Sequence, residues 1–236
     1  MMSGKRWGYV VQFFCLLVFL GMSPFLIKMD GRKTMSVSSD SVRGQNVSDE
    51  VKPVAALTFD DGPNASSTPI LLDGLKERKV RATFFLIGEN VEKDENEKIV
   101  KRMYEEGHLI GNHTYRHVDL SKISGREAEK EIKTTDEAIK KITGHETEFI
   151  RPPFGAMPEG EEDPDKIYVK WTVDSLDWVT KDTEKIVEKV TADTKEGDVI
   201  LMHDCYGESV EAALQIVDIM EKQGYEFVTA DELIIN

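Results

Sequence analysis

From Val54 onward, short apolar runs alternate with longer stretches whose apolar residues recur at helical spacing. Val54 to Phe59 reads as a strand, and Thr68 to Lys79, with Ile70, Leu71, Leu72 and Leu75 on one face, as a helix. The rhythm continues through a strand at Ala82 to Ile87, a helix at Glu97 to Glu106 and a strand at His108 to Asn112. A long helix follows from about Arg126 to Ile142, ending at Gly144, then strands at Glu148 to Arg151 and Ile167 to Val173. The last third repeats the scheme: a helix at Glu184 to Thr194, a strand at Asp198 to His203, a helix at Ser209 to Gln223 and a strand at Glu226 to Val228. Uninterrupted alternation of this kind predicts a parallel α/β sheet, either open and doubly wound or curled into a barrel.

The first fifty residues break this pattern. Lys5 and Arg6 precede Trp7 to Ile27, 21 residues without a charge, long enough to cross a bilayer. An uncleaved membrane anchor over 1–28 is the expectation, and a cleaved signal peptide is the rival. Lys28, Arg32 and Lys33 beyond the run balance Lys5 and Arg6, so the charges do not set the orientation. Residues 29–52, rich in Ser, Gly and Asp, read as a flexible linker, and 53–236 as the folded domain.

The net charge of −14 argues against a nucleic-acid partner. The imbalance lies in the domain, where residues 53–236 carry 23 basic against 40 acidic side chains. With only Cys15 and Cys205 in the chain, no disulfide framework is available, and Cys205 reads as an incidental thiol. The glycosylation patterns at Asn46, Asn64 and Asn112 are short enough to arise by chance and are expected to be unused.

In either α/β architecture the reactive groups stand at the C-terminal ends of the strands. There the sequence places Asp60 and Asp61, His113 and His117, Arg151, Asp174, and His203 with Asp204. Adjacent carboxylates need a cation or an Arg to offset their repulsion. Two histidines four apart would share one face of a helical turn and, with a neighbouring carboxylate, could chelate a divalent ion. Arg151 before Pro152 and Pro153 could hold a carboxylate in one orientation.

Five segments taken together resemble the motifs of the polysaccharide deacetylase family, also called the NodB-homology family or carbohydrate esterase family 4. They are Thr58-Phe59-Asp60-Asp61-Gly62, His113-Thr114-Tyr115-Arg116-His117, Arg151-Pro152-Pro153-Phe154-Gly155, Asp174-Ser175-Leu176-Asp177-Trp178 and Leu201-Met202-His203. The resemblance implies a distorted, incomplete (β/α) barrel that removes acetyl groups from cell-wall or extracellular glycans. It implies a divalent metal, zinc or else cobalt, on Asp61, His113 and His117, with Asp60 as general base aligned by Arg151. His203 would be the general acid, oriented by Asp174. The backbone N–H of Phe154 would hold the oxyanion, and Leu201 and Trp178 would enclose the acetyl methyl.

Peptidoglycan N-acetylglucosamine is the expected substrate, with O-acetyl xylan or a catalytically silent glycan-binding role as alternatives. A metal phosphohydrolase fits less well, since no second metal site or phosphate cradle is evident. Localisation is expected at the cell membrane, single-pass, with the domain outside the cell, or secreted after cleavage; no protein partner is implied. The stretch from Gly155 to Asp174 departs from the family in being short and acidic, and a helix between two barrel strands is expected to be lost there.

Overall fold

The computed structural model describes residues 52–158 and 164–235. The anchor expected over 1–28 and nearly all of the 29–52 linker lie outside these residues. Among the described residues no helix is long and apolar enough to cross a membrane.

Strand β1, Val54–Gly62, is the axis of the sheet because every other residue along it is apolar on one side and small or polar on the other. Leu57 and Phe59 join the core beneath helices α1 (Thr68–Arg78) and α7 (Gly207–Lys222), while Thr58 and Asp60 face the opposite way. Burial of each large apolar side chain in this row contributes about 1.5–3 kcal/mol. Strands β2 (Thr83–Leu86), β3 (Leu109–Asn112), β4 (Phe149–Ile150) and β5 (Ile167–Tyr168) extend the sheet on one flank. On the other flank lie β7 (Asp198–His203) and then β6 (Val173–Asp174), while β8 (Glu226–Val228) pairs with the first residues of β1. All pairings are parallel.

Three apolar clusters are described around the curled sheet. The largest lies between sheet and helices, a smaller one of Phe85, Phe149, Val169 and Ala230 fills the concave side, and a third joins Ile150 to Leu120, Ala128 and Ile132. The expected single strand from Ile167 to Val173 is in fact two, β5 and β6, which stand on opposite edges of the sheet. Residues 169–172 bridge the open seam between these edges, and no helix occurs there or among the described residues of 156–166. The barrel is incomplete at this seam, and residues 159–163 of the stretch expected to lose a helix lie outside the described residues.

The other helices follow their end signals. Helix α2 is the short Gly88–Val91, α3 is Glu97–Glu105, and α4, Gly125–Thr143, starts on a reciprocal Ser124/Glu127 capping box. Gly144, left-handed at φ 81°, ends α4. Helix α5 is the single turn Asp177–Thr180, and Asp182 caps α6, Thr183–Asp193, by accepting the Lys185 N–H. A last helix, α8, Ala230–Ile235, had no clear periodic signal.

Candidate active site

The two aspartates at the end of β1 both reach one site only because the strand is irregular there. Successive side chains of a regular strand point to opposite faces, which would part Asp60 from Asp61. Here Asp61 has φ 71° and the register with β2 slips between Asp60 and Gly62. The bulge turns Asp61 back toward Asp60. His113 Nε2 consequently stands 3.7 Å from Asp60 Oδ2 and 3.5 Å from Asp61 Oδ1.

Asp60 is buried, at 3% exposure, and its Oδ1 accepts a 2.8 Å bond from Arg151 Nη1. The guanidinium is itself fully buried and donates to Thr58 Oγ1 at 2.7 Å, to Val169 O and to Lys170 O. The Thr58 hydroxyl donates onward to Ile200 O, which turns its lone pair toward Arg151. Phe85 covers the guanidinium from 4.2 Å. Arg151 thus holds the base candidate and also stitches the bridge across the barrel seam. Breaking such a buried pair leaves an uncompensated charge, a cost of about 3–5 kcal/mol.

His113 and His117 converge without the helical turn that their spacing suggested. Residues 113–117 form an irregular loop in which Thr114 (φ 64°) and His117 (φ 54°) are left-handed. Non-glycine residues persist in that region only when their surroundings enforce it. His113 Nδ1 lies 2.6 Å from the Arg151 carbonyl, which can only accept, so Nδ1 carries the proton and Nε2 presents its lone pair to the aspartates. His117 Nε2 is 3.2 Å from Asp61 Oδ1, and the two rings are 5.1 Å apart.

One donor atom from each of Asp61, His113 and His117 falls within a 4.8 Å cluster. Asp61 Oδ1 is buried and accepts no hydrogen bond. Burial alone would raise the Asp61 pKa, but His113, His117 and His203 outweigh it and hold the carboxyl below its ordinary value. Burial lowers the pKa of His117 and so favours the neutral ring that ligates. An anionic oxygen lacking a donor beside the Nε2 atoms of two imidazoles fits a divalent cation, and a set of three protein ligands leaves positions open for water and substrate.

His203, at the end of β7, is held by Asp177 and not by Asp174. Its Nδ1–H donates to Asp177 Oδ1 at 2.7 Å, and its backbone N–H donates to Oδ2 at 2.7 Å. Asp174 instead accepts the Leu176 N–H at 2.9 Å, closing a turn. Asp174 pairs in register with Leu201, two residues short of His203, or about 6.6 Å along the strand. The left-handed Leu176 (φ 56°) then folds the chain back and sets buried Asp177 over the imidazole. Burial would lower the His203 pKa, but the Asp177 bond and charge, with Asp60 and Asp61 beyond, raise it to about 9. The ring is a cation at neutral pH, with Nε2 4.0 Å from Asp61 Oδ2.

The remaining expected residues occupy the rim and floor. Pro152 and Pro153 lead into left-handed Phe154 (φ 59°), whose 68% exposed ring meets His117 edge-on at 4.8 Å. The two turn hydrogen bonds there come from Gly155 and Ala156, not from the Phe154 N–H. Leu201 is buried on the same strand face as His203, and Trp178, half exposed, follows Asp177 on α5. Cys205 is a free thiol that burial pushes up to about 12, far from the thiolate form.

The polysaccharide deacetylase family model matches residues 48–163. The chain is 41% identical over 186 residues to a peptidoglycan-N-acetylglucosamine deacetylase of Bacillus cereus, covering 75% of this chain and 67% of that one. It is 39% identical to the peptidoglycan-N-acetylmuramic acid deacetylase PdaC of Bacillus subtilis, of which it spans only 39%. A solved structure of a PdaC peptidoglycan deacetylase from that organism superposes with a TM-score of 0.74, covering 78% of this chain and 90% of that one at 38% identity. An acetyl xylan esterase of Clostridium thermocellum, solved with a cobalt ion, matches at 32% identity and TM-score 0.70 over 77% of this chain and 90% of that one.

Proposed function

The chain belongs to the polysaccharide deacetylase family, and from that premise we propose that it is a metal-dependent hydrolase removing N-acetyl groups from peptidoglycan, with N-acetylglucosamine as the sugar attacked. The observation that carries the reading is one site in which a buried, Arg-paired carboxylate and an imidazolium both stand beside a three-ligand cluster. Binding a glycan needs no base and acid together, so the arrangement favours hydrolysis over a silent binding role.

Asp61, His113 and His117 are the residues that would hold the ion, zinc in this reading. When bound, the ion polarises the acetamide carbonyl and makes water more acidic. Asp60, aligned by Arg151, takes the proton of the attacking water through Oδ2, the oxygen that the guanidinium leaves free. The Phe154 N–H, unused in its turn, donates to the oxyanion as the carbon becomes tetrahedral. The amine of the sugar leaves poorly as an anion, and His203 gives it a proton from Nε2 while Asp177 holds Nδ1–H. Leu201 and Trp178 line the place of the acetyl methyl. The domain acts outside the cell, tethered by the uncharged Trp7–Ile27 run, a placement supported by that run and by the wall polymer as substrate.

The test is acetate release from peptidoglycan, N-acetylglucosamine oligomers and acetylated xylan by the full chain in mild detergent, with and without zinc. Zinc-dependent release from the first two is expected, with Asp60→Asn and His203→Ala each slowing it by about 10²–10⁴-fold. Release from xylan alone would favour the O-acetyl esterase instead.

A further inference from the structure

The loop that carries His113 and His117 is fastened at both ends to helix α4. At its start, Asn112 Oδ1 accepts the Thr114 N–H, and its Nδ2 donates to Ile132 O and to Asp136 Oδ1, each of these at 2.8 Å. Near its end, one carboxylate takes three bonds from a single residue. Glu131 Oε2 accepts the Arg116 backbone N–H at 2.8 Å, and Oε1 accepts Arg116 Nε and Nη2 at 2.9 and 2.6 Å.

Glu131 is 4% exposed, although α4 otherwise turns most of its charged residues to solvent. An exposed ion pair contributes little, but a buried carboxylate bonded to a backbone N–H fixes that backbone in place. The two histidines differ in how far they need this. His113 is buried and anchored by its own bond to Arg151 O. His117 is left-handed, its side chain is 30% exposed, and its ring meets the Asp61 carboxylate, the His113 ring and the edge of Phe154. Its place is set by its backbone, and the residue before it is the one that Glu131 holds.

We infer that Glu131 is a positioning residue for the metal centre, acting through Arg116 to hold His117 in ligating position. This rests on the metal reading of Asp61, His113 and His117. Partners behind metal ligands typically govern affinity by 10–100-fold. The loss from truncation is therefore expected in zinc affinity, with turnover at saturating zinc close to that of the parent.

The experiment titrates zinc into the metal-free full chain against a chromophoric chelator, for the parent, Glu131→Ala, Glu131→Gln and Arg116→Ala. Glu131→Ala is expected to weaken zinc binding about tenfold or more. Arg116→Ala keeps the backbone bond to Glu131 and should weaken it less. Gln keeps the size with one acceptor, so Glu131→Gln should fall between and serves as the deciding variant if the alanine form does not fold. Zinc affinity within threefold of the parent in a folded Glu131 variant overturns the assignment, even if the metal-free chain melts earlier, because Glu131 would then brace the fold alone. A parent that takes up no zinc overturns the metal site itself, an outcome distinct from parent and variants binding equally well.

Discussion

Asp177→Asn isolates the electrostatic part of the His203 arrangement. The substitution keeps the shape of the side chain and removes the charge that the imidazolium faces at 2.7 Å. The rise of the His203 pKa from 6.5 to about 9 corresponds to a preference for the cation on the order of 3 kcal/mol. Burial by itself lowers the pKa while Asp60 and Asp61 still raise it, so without the Asp177 charge the ring should titrate well below 9, toward its ordinary 6.5. At pH 7.5 a group titrating near 9 is about 97% protonated and one near 6.5 about 9%, a roughly tenfold loss of the proton donor. Asn also offers one acceptor to two donors, the Nδ1–H and the backbone N–H of His203, which adds about 1–3 kcal/mol of unmet hydrogen bonding. The assay is kcat against pH from 5.5 to 10 at saturating metal. The parent should hold a plateau that falls near pH 9, and the limb of Asp177→Asn should lie clearly lower. Asp174→Asn, which only loosens the Leu176 turn, should keep the limb near 9. A limb moved by Asp174→Asn and left in place by Asp177→Asn would refute the reasoning.

Three further outcomes follow from the same geometry. Arg151→Met should lower stability by about 3–5 kcal/mol in urea unfolding at pH 7, because Asp60 stays buried without its partner; a loss under 1 kcal/mol would mean that Asp60 finds another donor. Asp204, fully buried with Oδ1 unpartnered, has its pKa pushed to about 7 by burial, which outweighs the bond from Thr68. A carboxyl whose folded pKa is raised loses stability as pH climbs from about 4 through 7, so metal-free Asp204→Asn should melt several degrees above the parent at pH 8 and approach it as the pH falls to about 4; a lower melting point at pH 8 would contradict this. Zinc at a hundredfold excess over its dissociation constant should stabilise the parent by about 2.7 kcal/mol, reversed by chelator, and Asp61→Asn should abolish most of that gain; an undiminished gain would place the ion elsewhere.

Most of the fold and the ligand set could be read from the residues, for a physical reason. Apolar periodicity records which face of each segment is buried, and a parallel sheet brings the C-terminal ends of its strands together whatever their lengths. Asp61, His113, Arg151 and His203 stand at or directly after such ends, so their convergence needed no knowledge of loops, whereas His117 is brought in by the loop after β3. Backbone conformation and register were settled only by the folded chain. The bulge at Asp61, the left-handed turns at Thr114, His117 and Leu176, and the division of 167–174 between two sheet edges carry no period. The resemblance put Asp174 behind His203 although Asp177 lies in the same motif; two residues of strand rise and one reversed turn chose Asp177 instead. Glu131 is one of several acidic residues along α4, and only its burial against Arg116, 15 positions away in the chain, sets it apart. Local patterns determine what a segment can bury, whereas the partner of a charged group depends on distances between segments remote in the chain.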